Sequence, residues 1–458
     1  MRDILIFAIV AYGLAQVFFR PHIGVYLWTW ISLMNPHRLA WGAATSFPFA
    51  QVIGIVTLVG FFTGKAPKLK LWHAETVVIA LLVFWVTMTT FVFAFNPKGA
   101  YEEWDRFIKI QIFIFLTVML VSDKPKLDGL VWVMALSVGF YGIKGGIFTL
   151  STGGSGRVWG PEGSFIAGNN ELALALLMTV PLFRYLQLQE GRKWLRSLLT
   201  VAMILCMLSI VGTQSRGALL GIIAIGFFLW LKSRSKLGLG ILVLVVGITI
   251  LLMMPESWWA RMSTIKAYDE DSSAQGRLRA WVVAWNVAKG TFVGGGANMW
   301  NLATYERYGS ESVVKAFDVH SIYFEMLGEQ GFPGFFLFIL LGWLFWRRCS
   351  RMIKQCENDP ENKWAADLGA MLQVSFIGYA VSGAFLGLAY FDYYYDLIAV
   401  ALIASQLVKS QADAGGETTI SGYHRERRSA IGHAGAAAVH PPPDERKGSA
   451  RFNRDRPK

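Results

Sequence analysis

The chain has 458 residues, 54% of them hydrophobic and only 16% charged, and a formal net charge of +12; its mean hydropathy is +0.42. Soluble domains carry about 25% charge, and apolar runs long enough to cross a bilayer core of about 30 Å recur here, so composition excludes an ordinary soluble domain. The runs are continuous rather than short and alternating, which excludes a transmembrane barrel and leaves an all-α, polytopic transmembrane helical protein.

In chain order the apolar runs fall at about 4–34, 46–63, 75–95, 107–122, 128–150, 170–186, 197–213, 217–232, 238–254, 321–346, 367–388 and 392–408. Met1-Arg2-Asp3 is weakly charged and no small-residue cleavage site follows, so the first run is not read as a signal peptide. Arg20-Pro21-His22 splits it, and it is read as one broken or tilted crossing. That gives about 12 transmembrane helices with a cytoplasmic amino terminus. Two crossings there would make thirteen and move that terminus outside.

Basic loops fix the orientation. Lys65, Lys68 and Lys70, then Lys124 and Lys126, then Arg184, Arg192, Lys193 and Arg196, then Lys232, Arg234 and Lys236, then Arg347, Arg348, Arg351 and Lys354 alternate with less basic loops, as the positive-inside rule requires. The outer side then holds 96–106, 151–169, 214–216, 255–320 and a corner near 389–391. The net positive charge is read as this bias plus attraction to membrane lipids, not as nucleic-acid binding. Residues 1–410 form the transmembrane domain, with one large outer loop at 255–320. Residues 411–458, rich in Gly, Ala, Pro and Arg, form a basic cytoplasmic tail expected to be disordered. Cys206 lies in an apolar run and Cys349 and Cys356 in a basic loop, so no structural disulfide is expected.

The polar interval bracketed by Thr213-Gln214-Ser215-Arg216-Gly217 and His320-Ser321 carries the chemistry. Arg216 stands at the outer end of a helix. It is either a snorkelling interfacial arginine or a clamp for phosphate oxygens, which a planar guanidinium grips bidentately. Helical spacing puts Arg277, Trp281, Ala284, Trp285 and Ala288 on one stripe, with Arg279 nearly half a turn away, so face geometry favours Arg277 over Arg279 for a site. His320 sits where the polar loop re-enters the membrane. Histidine titrates near neutrality and can take a proton from a hydroxyl, although a lone interfacial histidine more commonly just bonds a carbonyl. Downstream, Gly331-Phe332-Pro333-Gly334 breaks the helix and lets the turns after His320 tilt.

Lys144 lies inside an apolar run, about two turns from its outer end by helix rise, and needs a partner such as Glu325 or a snorkelling route. A glycine-rich loop with Arg157 follows and ends in Asn169-Asn170-Glu171, whose asparagines fit helix capping. Asp269-Glu270-Asp271 has an Asp-x-Asp pattern without other ligands nearby, and is read as solvated acids rather than a metal site. Gly294-Gly295-Gly296 fits a flexible turn better than a phosphate cradle. Walker and dinucleotide fingerprints are absent, which counts against an ATP-driven pump and a Rossmann oxidoreductase.

These residues in this order, Thr213-Gln214-Ser215-Arg216-Gly217-Ala218, Gly276-Arg277-Leu278 with Trp281, Gly294-Gly295-Gly296, and His320-Ser321 with Gly331 and Gly334, resemble the O-antigen ligase and polymerase superfamily (WaaL/Wzy type). The stretch Trp28–Arg38 resembles its exosortase-associated branch. The resemblance covers roughly 140–400. It implies a GT-C-like membrane glycosyltransferase of the bacterial inner membrane, with its active site facing the periplasm. The implied reaction is inverting and metal-independent and uses no cofactor. The donor is a glycan on undecaprenyl pyrophosphate, and the acceptor a lipid A-core sugar hydroxyl of lipopolysaccharide. The resemblance makes His320 the general base and gives the diphosphate to Arg216 and Arg277, with Arg279, Lys144, Arg157, Asn169 and Asn170 as further donor-binding candidates. The exosortase-like amino terminus leaves the acceptor open. The alternatives are a polymerase of the same superfamily, which lengthens a lipid-linked glycan, and a non-catalytic transporter, whose charges should lie at mid-bilayer.

Overall fold

A computed structural model describes residues 1–65, 67–232, 255–256, 258–259, 272–309, 315–411 and 413. The expected run 238–254, the acidic triad Asp269-Glu270-Asp271 and the tail from 414 lie outside these residues. Met1–Leu407 form one compact unit and Val408–Lys458 a second.

The elements of the first unit are helical. In order they are α1 (Arg2–Val17), α2 (His22–Met34), α3 (Phe49–Thr63), α4 (Ala74–Met88), α5 (Pro97–Leu120), α6 (Lys124–Ser151), α7 (Asn169–Gln189), α8 (Lys193–Gly212), α9 (Arg216–Lys232), α10 (Ser272–Thr291), α11 (Leu302–Tyr308), α12 (Ile322–Cys356) and α13 (Lys363–Ser382). A last helix, α14, starts at residue 392 and runs to the end of the unit. Among the described residues six helical stretches are long and apolar enough to cross a membrane, and Phe49–Thr63 and Arg216–Leu231 are shorter apolar helices.

The starts of several helices are written locally. Asn96 accepts from Gly99 N ahead of α5, with Pro97 in the first turn. Asp123 does the same for Lys126 N ahead of α6, and Asn301 for Thr304 N ahead of α11. Each satisfies a backbone donor that a helix start leaves free.

Residues 4–34 do not form one tilted crossing. Arg2 Nη1 donates to Leu39 O (3.0 Å), and Asp3 Oδ1 accepts from the N–H groups of Gly42 and Ala44 (both 3.1 Å). The chain start therefore lies at the same end as the residues after α2, and α1 and α2 are an antiparallel hairpin. At about 1.5 Å per residue they span roughly 24 and 20 Å, each short of a full bilayer core. Tyr26 OH, near the start of α2, donates to Lys126 O (2.6 Å), which puts the turn of the hairpin at the basic end of the bundle.

Glycines on one face of α6 let α7 and α8 approach closely. A Cβ on Gly146 would stand 2.2 Å from Leu205 O, and one on Gly139 2.3 Å from Phe183 Cζ. Small residues permit such backbone proximity where helices pack in lipid. Helices α7 and α14 are buried on nearly all sides and form the centre. At the basic end Arg348 is not a free surface charge. Its Nε and Nη2 donate to the two oxygens of Glu75 (both 2.6 Å), and Nη1 donates to Ser405 Oγ (2.6 Å). Cys349 and Cys356 lie within α12, not in a loop, and all three cysteines are free and buried.

Helix α12 breaks at Gly331 (φ 63°, ψ −167°), as the Gly-Phe-Pro-Gly pattern predicts. The triple glycine docks there. Gly295 N donates to Gly328 O (2.9 Å), Gly296 N to Glu329 O (2.8 Å) and Phe332 N to Phe292 O (3.1 Å). Gly294 holds φ 87°, and a Cβ there would stand 2.4 Å from Glu329 O. The glycines thus bring backbone against backbone and re-satisfy the groups that the break frees.

Candidate functional site

Several elements meet at the end of the bundle opposite the basic loops. The segment before α9 is tied to the loop after α6: Val158 N donates to Gly212 O (3.1 Å), Gln214 Nε2 to Gly154 O (3.3 Å) and Asn169 Nδ2 to Thr213 O (2.8 Å). Ser382 Oγ at the end of α13 donates to Gly217 O (3.2 Å). Three residues on, Phe385 stands 6.4 Å from the Trp281 ring of α10, and Trp281 stacks on Phe324 of α12 at 4.9 Å. Trp281 Nε1 donates to Val319 O (2.9 Å). Around this tryptophan the start of α9, the first turns of α10 and the entry to α12 converge, and they carry Arg216, Arg277 and His320.

His320 has φ 42°, a left-handed conformation that costs a non-glycine residue about 1–3 kcal/mol and persists only where its surroundings impose it. Two bonds made by the residue before it fix the bend: Val319 O accepts from Trp281 Nε1, and Val319 N donates to Asp318 Oδ1 (2.8 Å). Asp318 Oδ2 lies 3.8 Å from His320 Nδ1, an ion-pair distance when the imidazole is protonated and too long for a hydrogen bond. The ring is 39% exposed, open to a substrate.

The other predicted residues separate. Arg216 and Arg277 are half-buried and Arg279 is exposed, in line with the face argument for α10. Asn169 is buried and committed to Thr213 O, so it positions the segment before Arg216. Asn170 follows it, half-buried, in the first turn of α7. Arg157 sits over the Trp159 ring, 5.8 Å from its centroid. Lys144 is not brought to the site. With the glycine face of α6 packed inward, it falls on the exposed face with Phe140, Ile147 and Phe148. Its suggested partner Glu325 instead accepts from Ala389 N (2.9 Å).

A cavity of about 320 Å³ adjoins this cluster, and sequence reasoning missed it. Five carboxylates line it, those of Glu103, Glu171, Asp318, Glu325 and Glu329, against one cation, Arg106. Neither His320 nor any of the predicted arginines lines it; Asp318 joins the two regions. Glu329 is 3% exposed and held by three donors: Asn298 N (3.0 Å), Trp300 Nε1 (2.7 Å) and Tyr390 OH (2.8 Å). Burial, with Glu329 alongside, pushes the Tyr390 phenol well above its usual range, so it stays a donor. Burial also raises the Glu103 carboxyl, and Arg106, 3.1 Å away, opposes the shift. One signal for this cavity was available: two carboxylates four residues apart, Glu325 and Glu329, inside an apolar span, where an ionisable residue marks a function by default.

Residues 1–192 match a family of unknown function, DUF5935. Residues 201–339, which include Arg216, Arg277 and His320, match the family described as O-Antigen ligase. No curated protein matches the chain. The second match supports a place among the ligase and polymerase type of superfamily. Together with the apolar helices it supports a multi-pass membrane protein.

Proposed function

We propose that the protein is an O-antigen ligase of the bacterial inner membrane, with its site facing the periplasm. It transfers a glycan from undecaprenyl pyrophosphate to a lipid A-core sugar hydroxyl of lipopolysaccharide, with inversion and without a metal. One observation carries the reading. Inside the stretch that matches the O-Antigen ligase family, His320 stands in an imposed bend at the head of a broken apolar helix, and the elements that carry Arg216 and Arg277 meet it there.

The chemistry follows from the groups. His320 Nδ1 faces Asp318, which leaves Nε2 for the acceptor. As Nε2 takes the hydroxyl proton, the oxygen bonds to the anomeric carbon from the face opposite the diphosphate. The bond from that carbon to the diphosphate oxygen breaks, and undecaprenyl pyrophosphate leaves. Asp318 then faces an imidazolium and stabilises it. Negative charge grows on the diphosphate, where two guanidiniums match it and are worth most in a site that excludes water. Arg279, Arg157 and Asn170 are further candidates for the donor, Asn169 acts by holding the segment before Arg216, and Lys144 anchors the outer end of α6 in the interface.

The test uses the purified full-length chain in lipid nanodiscs, an undecaprenyl-pyrophosphate glycan and rough lipopolysaccharide, with EDTA and no ATP. Transfer should proceed. In His320→Ala it should fall by about 10²–10⁴, the usual worth of a general base, while donor binding and melting temperature hold. Full activity in His320→Ala removes the general-base role. A lengthened lipid-linked glycan with no lipopolysaccharide product makes the protein a polymerase.

A further inference from the structure

The acidic cavity shares Asp318 with the His320 cluster but contains none of the cations assigned to the donor. Its carboxylates differ in how far the protein occupies them. Both oxygens of Glu329 are used, by Asn298, Trp300 and Tyr390. Glu103 has Arg106 beside it. Glu325 accepts one bond, from Ala389 N to Oε2. Its Oε1 has no protein donor among the described residues, although the residue lies in the first turns of an apolar helix and lines the cavity. Glu325 is half-buried, so this oxygen is open to the cavity and free to take a donor that arrives from outside the protein.

The donor that fits is constrained. Among the described residues no three His, Cys, Asp or Glu side chains are placed to share a metal ion, so the carboxylates are spread around a space rather than gathered on a point. The rings of Phe165, Trp300 and Tyr390 supply apolar wall between them. Spread acceptors with aromatic surface suit a molecule with several O–H or N–H donors and an apolar face, which describes a sugar. At about 320 Å³ the space is at the small end of ligand pockets and has room for a single ring. Its one cation, Arg106, is already beside Glu103, so a phosphate or carboxylate on the entering ring meets like charge with nothing to offset it.

We propose, building on the ligase reading, that this cavity is the acceptor pocket and that it takes an uncharged or amino-bearing sugar and rejects an anionic one. A hydroxyl at the Asp318 edge of such a ring points toward His320. Glu325 supplies one acceptor oxygen to the ring, and Glu171, on another helix, supplies a second.

The test reads binding without donor. Full-length protein in nanodiscs is titrated with methyl glucoside, methyl glucosaminide, methyl glucuronide and glucose 6-phosphate and followed by saturation-transfer NMR. The first two should bind, and the two anionic probes at least about tenfold more weakly. Glu325→Gln should weaken the neutral sugar and narrow the gap to the glucuronide. Glu171→Gln, at the helix start and less exposed to folding defects, should do the same to a smaller degree. Equal binding of the glucuronide, no binding of any sugar, or an unchanged preference in both variants overturns the pocket. The donor-dependent assay separates this from the reading beneath it. Selective sugar binding with no glycan transfer to any acceptor sinks the ligase reading and leaves a sugar site. Glycan transfer by a protein indifferent to sugar charge sinks the pocket and leaves the ligase.

Discussion

The two regions that meet at residues 318–320 are built from opposite materials. On one side the cations stand at or near helix starts: Arg216 opens α9, and Arg277 lies in the second turn of α10. Free N–H groups and the helix dipole favour an anion at such places. On the other side Glu325 and Glu329 come from the inside of a broken helix whose break is held by backbone bonds to the triple glycine, with Glu103 and Glu171 on α5 and α7 and Asp318 just ahead of α12. On the ligase reading the difference has a physical sense. A diphosphate must enter and leave as an anion, so its cations belong at open helix ends. An acceptor must be held still while its hydroxyl reacts, so its acceptors belong on a backbone that cannot slide.

The largest effect should come from removing one side while leaving the other. Arg216→Ala is expected to lower kcat/KM for the lipid-linked donor about a hundredfold, which corresponds to about 2.7 kcal/mol. Arg216→Lys should recover only part, because an ammonium cannot hold two phosphate oxygens in one plane. Sugar binding in the acidic cavity should not change in either variant. A parallel loss of sugar binding would show that the two regions are one site and would break the comparison.

The opposite intervention acts on the acid side. Gly294→Ala places a Cβ 2.4 Å from Glu329 O at φ 87°, where both space and conformation resist it. A cost of about 1–3 kcal/mol is expected. It should lift the loop that carries Asn298 and Trp300 away from Glu329 and release two of that carboxylate's three donors. Thermal unfolding and sugar titration check it: a lower melting temperature with weakened sugar binding, while donor binding holds. Weakened donor binding with intact sugar binding would invert the assignment of the loop.

What the sequence disclosed depended on whether the signal was local. The break at Gly331 was legible because a Gly-Phe-Pro-Gly string cannot continue a helix whatever surrounds it. The different exposures of Arg277 and Arg279 were legible from helical phase alone. Lys144 was misplaced because helix rise gives depth but not rotation, and rotation here is set by Gly139, Gly142, Gly145 and Gly146 packing on helices α7 and α8. The hairpin of α1 and α2 depends on Arg2 and Asp3 meeting residues 39–44, a pairing that no local pattern announces. The cavity was hardest to see. Glu103, Glu171 and the stretch with Asp318 and Glu325 lie far apart in the chain, and nothing short of the fold brings them together.

The smallest expected effect falls on the divide itself. Trp281→Phe keeps an aromatic ring against Phe324 but removes the N–H that holds Val319 O, at a cost of about 1 kcal/mol. Stability should move little, since the ring still fills its place in the contact. The bend at His320 is another matter: with φ at 42° it relaxes toward an ordinary conformation once one of its two restraints goes. The imidazole then spends less time facing the acceptor. The expected signature is a severalfold fall in kcat with unchanged KM for the donor and unchanged sugar binding, because neither the arginines nor the carboxylates have moved. If kcat holds, the bend does not need the tryptophan. If sugar binding falls together with kcat, Trp281 also supports the acid side through Asp318, and the divide is better drawn between Asp318 and the carboxylates of α12.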